Sequence, residues 1–494
     1  VSVVLLDQPL GWRDVVAVAN GARLELSPAA AERIAKARRI VEAISRLGMR
    51  AYGVNTGVGA LCDVIVPPEQ QRQLSRNLLM SHAVGVGTPL GTAEVRAIMV
   101  AALNNYAHGH SGLRLELVER LIALLNAGIT PVVPSQGSVG YLSHMAHIAL
   151  VLIGHGQAMA GGDLLDGKAA LLKAGFEPAV LGAKEGLSLV NGTPCVTGLG
   201  ALALARAQSL LESADAIAAM SFENLHGQPA AFDEASLALR HSPGLQAVGK
   251  RLRELIAGSS LTGKPGERTQ DPLSLRTVPH VHGTAHDVLT EVGVVLDREL
   301  ASVTDNPAIA GSEDAPLVYS EAHAVGAAIG LAMDTLAIAV AEVAAMSERR
   351  IDRLVNPLVS QLPAFLAEGS GVASGFMIAQ YTAVSLVAEN RRLAAPASLD
   401  GGITSALQED HLCHATPAAL KALAILANSR QILAIELLAA AQAYDLQDPA
   451  RRRAPATDAL HGAVRTRIAP YADDRPLAGD ILAATRLLEA GFPG

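Results

Sequence analysis

Val133-Pro134-Ser135-Gln136-Gly137-Ser138-Val139-Gly140 runs directly into Tyr141-Leu142-Ser143-His144. The first part is loop: proline and glycine punctuate it and no periodic apolar face survives. Beyond it an apolar stretch continues to Gly161, broken by His144, His147 and His155. That stretch is a poor membrane span, and no other segment is a clean one. Further outward, residues 199–225, 322–355 and 417–443 carry apolar side chains at three- and four-residue intervals, the period of a helix with a buried stripe. These lengths exceed the usual globular helix and predict a bundle of long helices. A shorter helix is expected over 28–47, with Ser27 as its cap and Pro28 in its first turn.

Punctuation recurs at 131–140, 191–194, 263–272, 304–316 and 396–404. Function is expected in these polar loops between long helices. The glycine-rich run Tyr52-Gly53-Val54-Asn55-Thr56-Gly57-Val58-Gly59 lacks both the spacing and the βαβ context of a dinucleotide fingerprint. No linker or internal repeat divides the chain. One catalytic body over 1–494 is expected: a loop-rich part over 1–200 carrying active-site loops, and a long-helix bundle over 201–494.

Half of the 494 residues are apolar, 17% are charged and 3% aromatic, as suits a large helical protein with broad buried faces. A formal net charge of −8 argues against a nucleic-acid partner. Arg451-Arg452-Arg453 reads as a solvated turn. Cys62, Cys195 and Cys413 are few, scattered and odd in number, which implies reduced thiols and a cytoplasmic setting. The residues from Val1 to Leu6 have no basic region ahead of them, so no signal peptide is expected. Fifteen histidines bring no cysteine or carboxylate set at metal-ligand spacing, so no metal is expected.

The stretch 133–149 resembles the cofactor-forming loop of the histidine and aromatic amino-acid ammonia-lyase family. Further segments match that family in order. They are 52–57, Ser81-His82-Ala83-Val84-Gly85, Glu185-Gly186-Leu187-Ser188-Leu189-Val190-Asn191-Gly192-Thr193, Gln270-Asp271-Pro272-Leu273-Ser274-Leu275-Arg276, 302–307, and Gln408-Glu409-Asp410-His411. The resemblance implies a mainly α fold of the fumarase/aspartase and histidine ammonia-lyase superfamily type, with a mixed, loop-rich N-terminal region. It implies a homotetramer whose active sites combine loops of several subunits. It also implies roles: Tyr52 as base, Arg276 on the substrate carboxylate, Asn191 beside it, and Ser81, His82, Gln270 and Glu409 around the substrate.

Three departures surround one point. Where the family has Ala-Ser-Gly, which cyclises and dehydrates to methylidene-imidazolone, this chain has Tyr141-Leu142-Ser143. Leu142 has no hydroxyl to lose, and the close backbone approach of the cyclisation favours glycine. Leu273 stands in place of a tyrosine that assists at the cofactor. Tyr319-Ser320-Glu321-Ala322-His323 stands where the family has Gly-Gly-Asn-Phe-His.

Ser81-His82 and Glu409 resemble the histidine-specific branch, and a carboxylate with an imidazole suits a ring bearing N–H donors. A quaternary ammonium has no lone pair to add to the imidazolone and leaves as a neutral amine without it. The superfamily holds such an enzyme, ergothionase, which releases trimethylamine from ergothioneine to give thiourocanate. The expectation is therefore a cofactor-free carbon–nitrogen lyase acting on an imidazole-bearing betaine, with Tyr141 and Glu321 as candidates to face the cation. Two alternatives stand beside it: a lyase for another histidine-like or betaine acid, and a non-catalytic binder of an imidazole metabolite.

Overall fold

The computed structural model describes residues 2–369 and 371–491; Val1, where the reading of the N-terminus begins, and 492–494 lie outside these. The chain is mostly helical, as expected. Helix Pro28–Leu47 forms as predicted, with the Ser27 hydroxyl accepting the Ala30 N–H at 3.0 Å, a cap worth about 1 kcal/mol. The longest helices are Pro194–Asn224, Ala327–Val355 and Ala415–Asp445. One expected start is corrected: 322–326 is a turn, and the helix begins at Ala327. Its apolar periodicity runs back across the turn and hid the boundary.

The expectation about membrane spans also needs correction. Glu185–Asn224, Ala327–Val355 and Ala415–Asp445 are long and apolar enough to cross a membrane by length and composition. Their most apolar windows are 100%, 61% and 67% buried within the protein, so packing against protein accounts for most of that character.

The chain forms two compact units, interleaved in sequence: Val1–Ala205, Val292–Asp334 and Pro396–Leu420 make the first, and Arg206–Glu291, Thr335–Ala395 and Lys421–Gly494 the second. In the first, strands Val3–Leu6 and Arg23–Leu26 pair in parallel around helix Trp12–Ala19. Helix Thr92–Ala107 is buried at every position from Val95 to Ala107. Its Arg96 donates to the carbonyls of Val18, Ala19 and Leu125, closing the C-terminal ends of two neighbouring helices. Ile40, Val41 and Ile44 of helix Pro28–Leu47 pack with Ala51, Val54 and Ile309, which seats the glycine-rich loop on the core.

The second unit buries charge between helices. Arg350 grips Glu436 through two bonds of 2.6 and 3.0 Å, and Ser221 donates to the same carboxylate at 2.7 Å. Asp215 accepts from His282 at 2.7 Å and His286 at 3.2 Å. Arg451 donates to the Ser260 and Leu261 carbonyls, so the arginine triplet is tied to a neighbouring loop rather than merely solvated.

Candidate active site

The loop bearing Tyr52 is held by its own polar side chains. Asn55 accepts the Ala51 N–H at 2.8 Å and donates to the Met49 carbonyl at 2.9 Å; Thr56 accepts the Gly53 N–H at 3.1 Å. Gly53 has φ +63°, and a Cβ there would meet Leu187 Cδ2 at 2.2 Å, so the close seating requires glycine. The half-buried Tyr52 phenol oxygen accepts the Gly59 N–H at 3.0 Å. Burial raises its pKa above 10, the Gly59 amide opposes that, and Glu409 and Cys62 raise it further.

Glu409 closes a turn of unusual hand. Ser405, Ala406 and Leu407 have φ of 51°, 49° and 73°, a left-handed run that L-residues sustain only under outside restraint. Thr404 and Glu409 provide it by pairing backbones in both directions, at 2.9 and 3.3 Å. The Thr404 hydroxyl also donates to Glu409 Oε2 at 2.9 Å, and the Ser405 hydroxyl accepts the Ala60 N–H at 3.0 Å. The Glu409 carboxylate is felt by Tyr52, Tyr141 and His82 alike.

Leu142 has φ 79° and ψ −76°, the geometry of the rare positive-φ γ-turn. Its mark is the Ser143 N–H bonded to the Tyr141 carbonyl at 3.3 Å. Such a conformation at a leucine costs about 1–3 kcal/mol, and its neighbours hold it. Ser138 Oγ donates to the Tyr141 carbonyl at 2.9 Å, Thr416 Oγ1 to the Gly140 carbonyl at 2.8 Å, and the His414 N–H to the Val139 carbonyl at 2.9 Å. Tyr141 is half-buried. Burial, reinforced by Glu409, Cys413 and Tyr52, pushes its phenol up to about 12.

His82 ends helix Gln71–His82, and its Nδ1 lies 3.1 Å from the Ser81 hydroxyl. Burial holds its pKa below 6.5, against the pull of Glu409. Tyr52, His82, Tyr141 and Glu409 therefore share one neighbourhood within the first unit.

The other expected residues are placed differently. Asn191 is buried; its amide accepts the Gly192 N–H at 2.8 Å and donates to the Asn306 carbonyl, so it braces two loops. Glu321 is exposed in the turn before Ala327, and among the described residues no hydrogen bond or ion pair ties it to the cluster. Gln270 and Arg276 belong to the second unit. Gln270 is exposed; Arg276 ends the short helix Leu273–Arg276. Its Nε is buried without a partner, and among the described residues it forms no ion pair.

Sequence reasoning missed Gly59, Thr404, Ser405 and Cys413. The signal for Gly59 was its place at the end of the glycine-rich run. A Cβ at Gly140 would lie 3.0 Å from Cys413 Sγ, a proximity with no local signature.

The aromatic amino acid lyase family matches residues 10–466. A histidine ammonia-lyase of Symbiobacterium thermophilum is 49% identical over 483 residues, 97% of this chain and 95% of the relative. The solved histidine ammonia-lyase of Trypanosoma cruzi superposes with a TM-score of 0.91 at 38% identity, covering 99% of this chain and 94% of that one. The ergothioneine-degrading ergothionase of Treponema denticola, solved with desmethyl-ergothioneine sulfonic acid, gives 0.92 at 31% identity, covering 99% of each chain.

Proposed function

This chain belongs to the aromatic amino acid lyase family, and on that premise we propose that it is a carbon–nitrogen lyase eliminating trimethylamine from an imidazole-bearing betaine, with ergothioneine to thiourocanate as the leading case. The observation that carries this reading is the pairing of Tyr141 with Leu142. Position 142 must supply a leaving hydroxyl for methylidene-imidazolone to form, and leucine has none. The chain still makes a tight turn there, the Ser143 N–H bonded to the Tyr141 carbonyl oxygen at 3.3 Å. The residues nonetheless do not fit that group, and no step runs through it. Beside Leu142, Tyr141 shares its surroundings with Glu409 and Tyr52. Two phenols and a carboxylate favour a permanent cation.

In this scheme Glu409 and His82 hold the ring, and Tyr141 offers its face to the trimethylammonium. Arg276 takes the carboxylate, with an unpartnered buried Nε suited to a forked pair. Tyr52 as phenolate removes the β-proton. The released electron pair forms the Cα–Cβ double bond, the Cα–N bond breaks, and trimethylamine departs with that bond's electrons. The substrate cation favours the phenolate that burial disfavours. Asn191 orients its neighbouring loops, Gln270 flanks Arg276, and Ser81 steers the His82 ring. We assign Arg276 and Gln270 to the site as contributions of another copy in a homotetramer. Exposed Leu61, Ile65, Val84 and Leu407, each more than 60% accessible, support burial of that rim by a partner.

A second reading is ammonia release from histidine. It is favoured by the 49% identity to a histidine ammonia-lyase and by the retained pair of His82 and Glu409. Incubation with ergothioneine, sulfur-free histidine betaine and histidine, followed by the absorbance of thiourocanate or urocanate, separates the two. Rapid turnover of histidine overturns the betaine reading. Binding of all three with no turnover supports a non-catalytic role.

A further inference from the structure

We propose that Thr404 and Ser405 are positioning residues, Thr404 setting the Glu409 carboxylate and Ser405 keeping its turn in register with the Tyr52 loop; this rests on the functional reading above. Thr404 commits Oε2 of Glu409 through a 2.9 Å bond. Among the described residues Oε1 accepts no hydrogen bond, so one oxygen is anchored and the other is open to a ring N–H. A bond to a charged acceptor orients strongly, and without it the terminal torsion of a glutamate is soft.

Ser405 reaches further. The Ala60 N–H donates to its hydroxyl at 3.0 Å, while the preceding amide, Gly59 N–H, donates to the Tyr52 phenol at 3.0 Å. Two consecutive amides thus index the base and the ring-binding turn to one segment of chain. That segment fits only without a side chain: Gly59 has φ +57°, and a Cβ there would lie 2.2 Å from Ser405 Oγ. The left-handed turn cannot hold this register alone. The Thr404–Glu409 pairing closes it, and the Ser405–Ala60 bond locates it.

The test uses the full-length protein and two readouts. The first is calorimetric binding of imidazolepropionate, which carries the ring and carboxylate but no leaving group; the second is steady-state kinetics on the substrate that turns over. Thr404→Val is expected to weaken imidazolepropionate binding roughly tenfold and to raise KM more than it lowers kcat. Thr404→Ser restores most of the loss. In a Glu409→Gln background Thr404→Val adds little, because the two act through one contact. Ser405→Ala is expected to lower kcat more than it weakens binding, since it loosens the base from the ring. A full Thr404→Val effect in the Glu409→Gln background overturns the proposal, as does Thr404→Ser behaving like Thr404→Val. An unchanged kcat in Ser405→Ala removes the part played by Ser405. If the binding pattern holds while no betaine is turned over, the positioning stands and the elimination reading falls.

Discussion

The Gly59 amide donates to the Tyr52 phenol oxygen at 3.0 Å, placing a fixed backbone donor on the atom that carries the negative charge in the proposed base role. A hydrogen bond to the charged form favours it, and it opposes the burial that raises this phenol. Tyr52→Phe should therefore abolish turnover, by at least about a hundredfold, while imidazolepropionate binds nearly as before. Steady-state rates with calorimetry check this, and an unchanged kcat would remove Tyr52 as base.

The direction of the Tyr52 shift sets a pH profile. In the free protein the phenol titrates above 10, so kcat/KM should climb with pH through neutrality without levelling below that value. A bound cation favours phenolate, so kcat, which reports the complex, should level at a lower pH. Below the ordinary histidine value of about 6.5 His82 begins to gain a proton only at still lower pH, because burial depresses its pKa. Profiles of kcat and kcat/KM that level together would contradict the role of the cation.

Tyr141→Ala removes the ring that stands beside Leu142. The expected cost for a quaternary ammonium substrate is about 0.5–2 kcal/mol, a severalfold rise in KM, with little change for imidazolepropionate, which carries no ammonium group. Tyr141→Phe keeps the π face and should retain most of the affinity. Equal losses for both ligands in Tyr141→Ala would reduce Tyr141 to cavity filling.

The γ-turn at Leu142 yields a gain-of-chemistry test. The Ser143 N–H bonds the Tyr141 carbonyl oxygen at 3.3 Å, so the two residues that the ring would join already sit in one tight turn. Replacing Tyr141, Leu142 and Ser143 by Ala, Ser and Gly supplies the missing hydroxyl and removes the obstructing Cβ. The triple variant should lose two molecules of water, visible as a mass decrease of the intact chain. An unchanged mass would show that the surrounding loop no longer supports ring closure.

Stability should also respond to acid through Asp215. Burial alone would raise this carboxyl, but hydrogen bonds from His282 and His286 hold it at about 2, below the ordinary value of about 3.9. A depressed carboxylate contributes stability that is whole above the unfolded value and lost as pH falls through the folded one. The contribution is about 2–3 kcal/mol, and Asp215→Asn should flatten the fall of the unfolding midpoint between about pH 4 and pH 2.

Much of this protein was legible because it is local. The Ser27–Pro28 start, the long apolar periodicities and the missing hydroxyl at position 142 each reside in a few neighbouring residues. Side-chain period fixes helix type, and covalent composition alone decides whether a residue can dehydrate. Asn191 lay in the expected loop, yet its amide proved to brace Gly192 and Asn306, because partners for a polar side chain leave no periodic trace.

Tertiary structure decided what the chain does with its hydroxyls. Nothing in the run Thr404-Ser405-Ala406-Leu407 announces three left-handed residues, nor that Ser405 meets an amide 345 positions away. A serine or threonine hydroxyl accepts from almost any donor, so only the folded backbone selects which one. The leucine at position 142 was written in sequence; the register between Tyr52 and Glu409 exists only once distant loops are brought together.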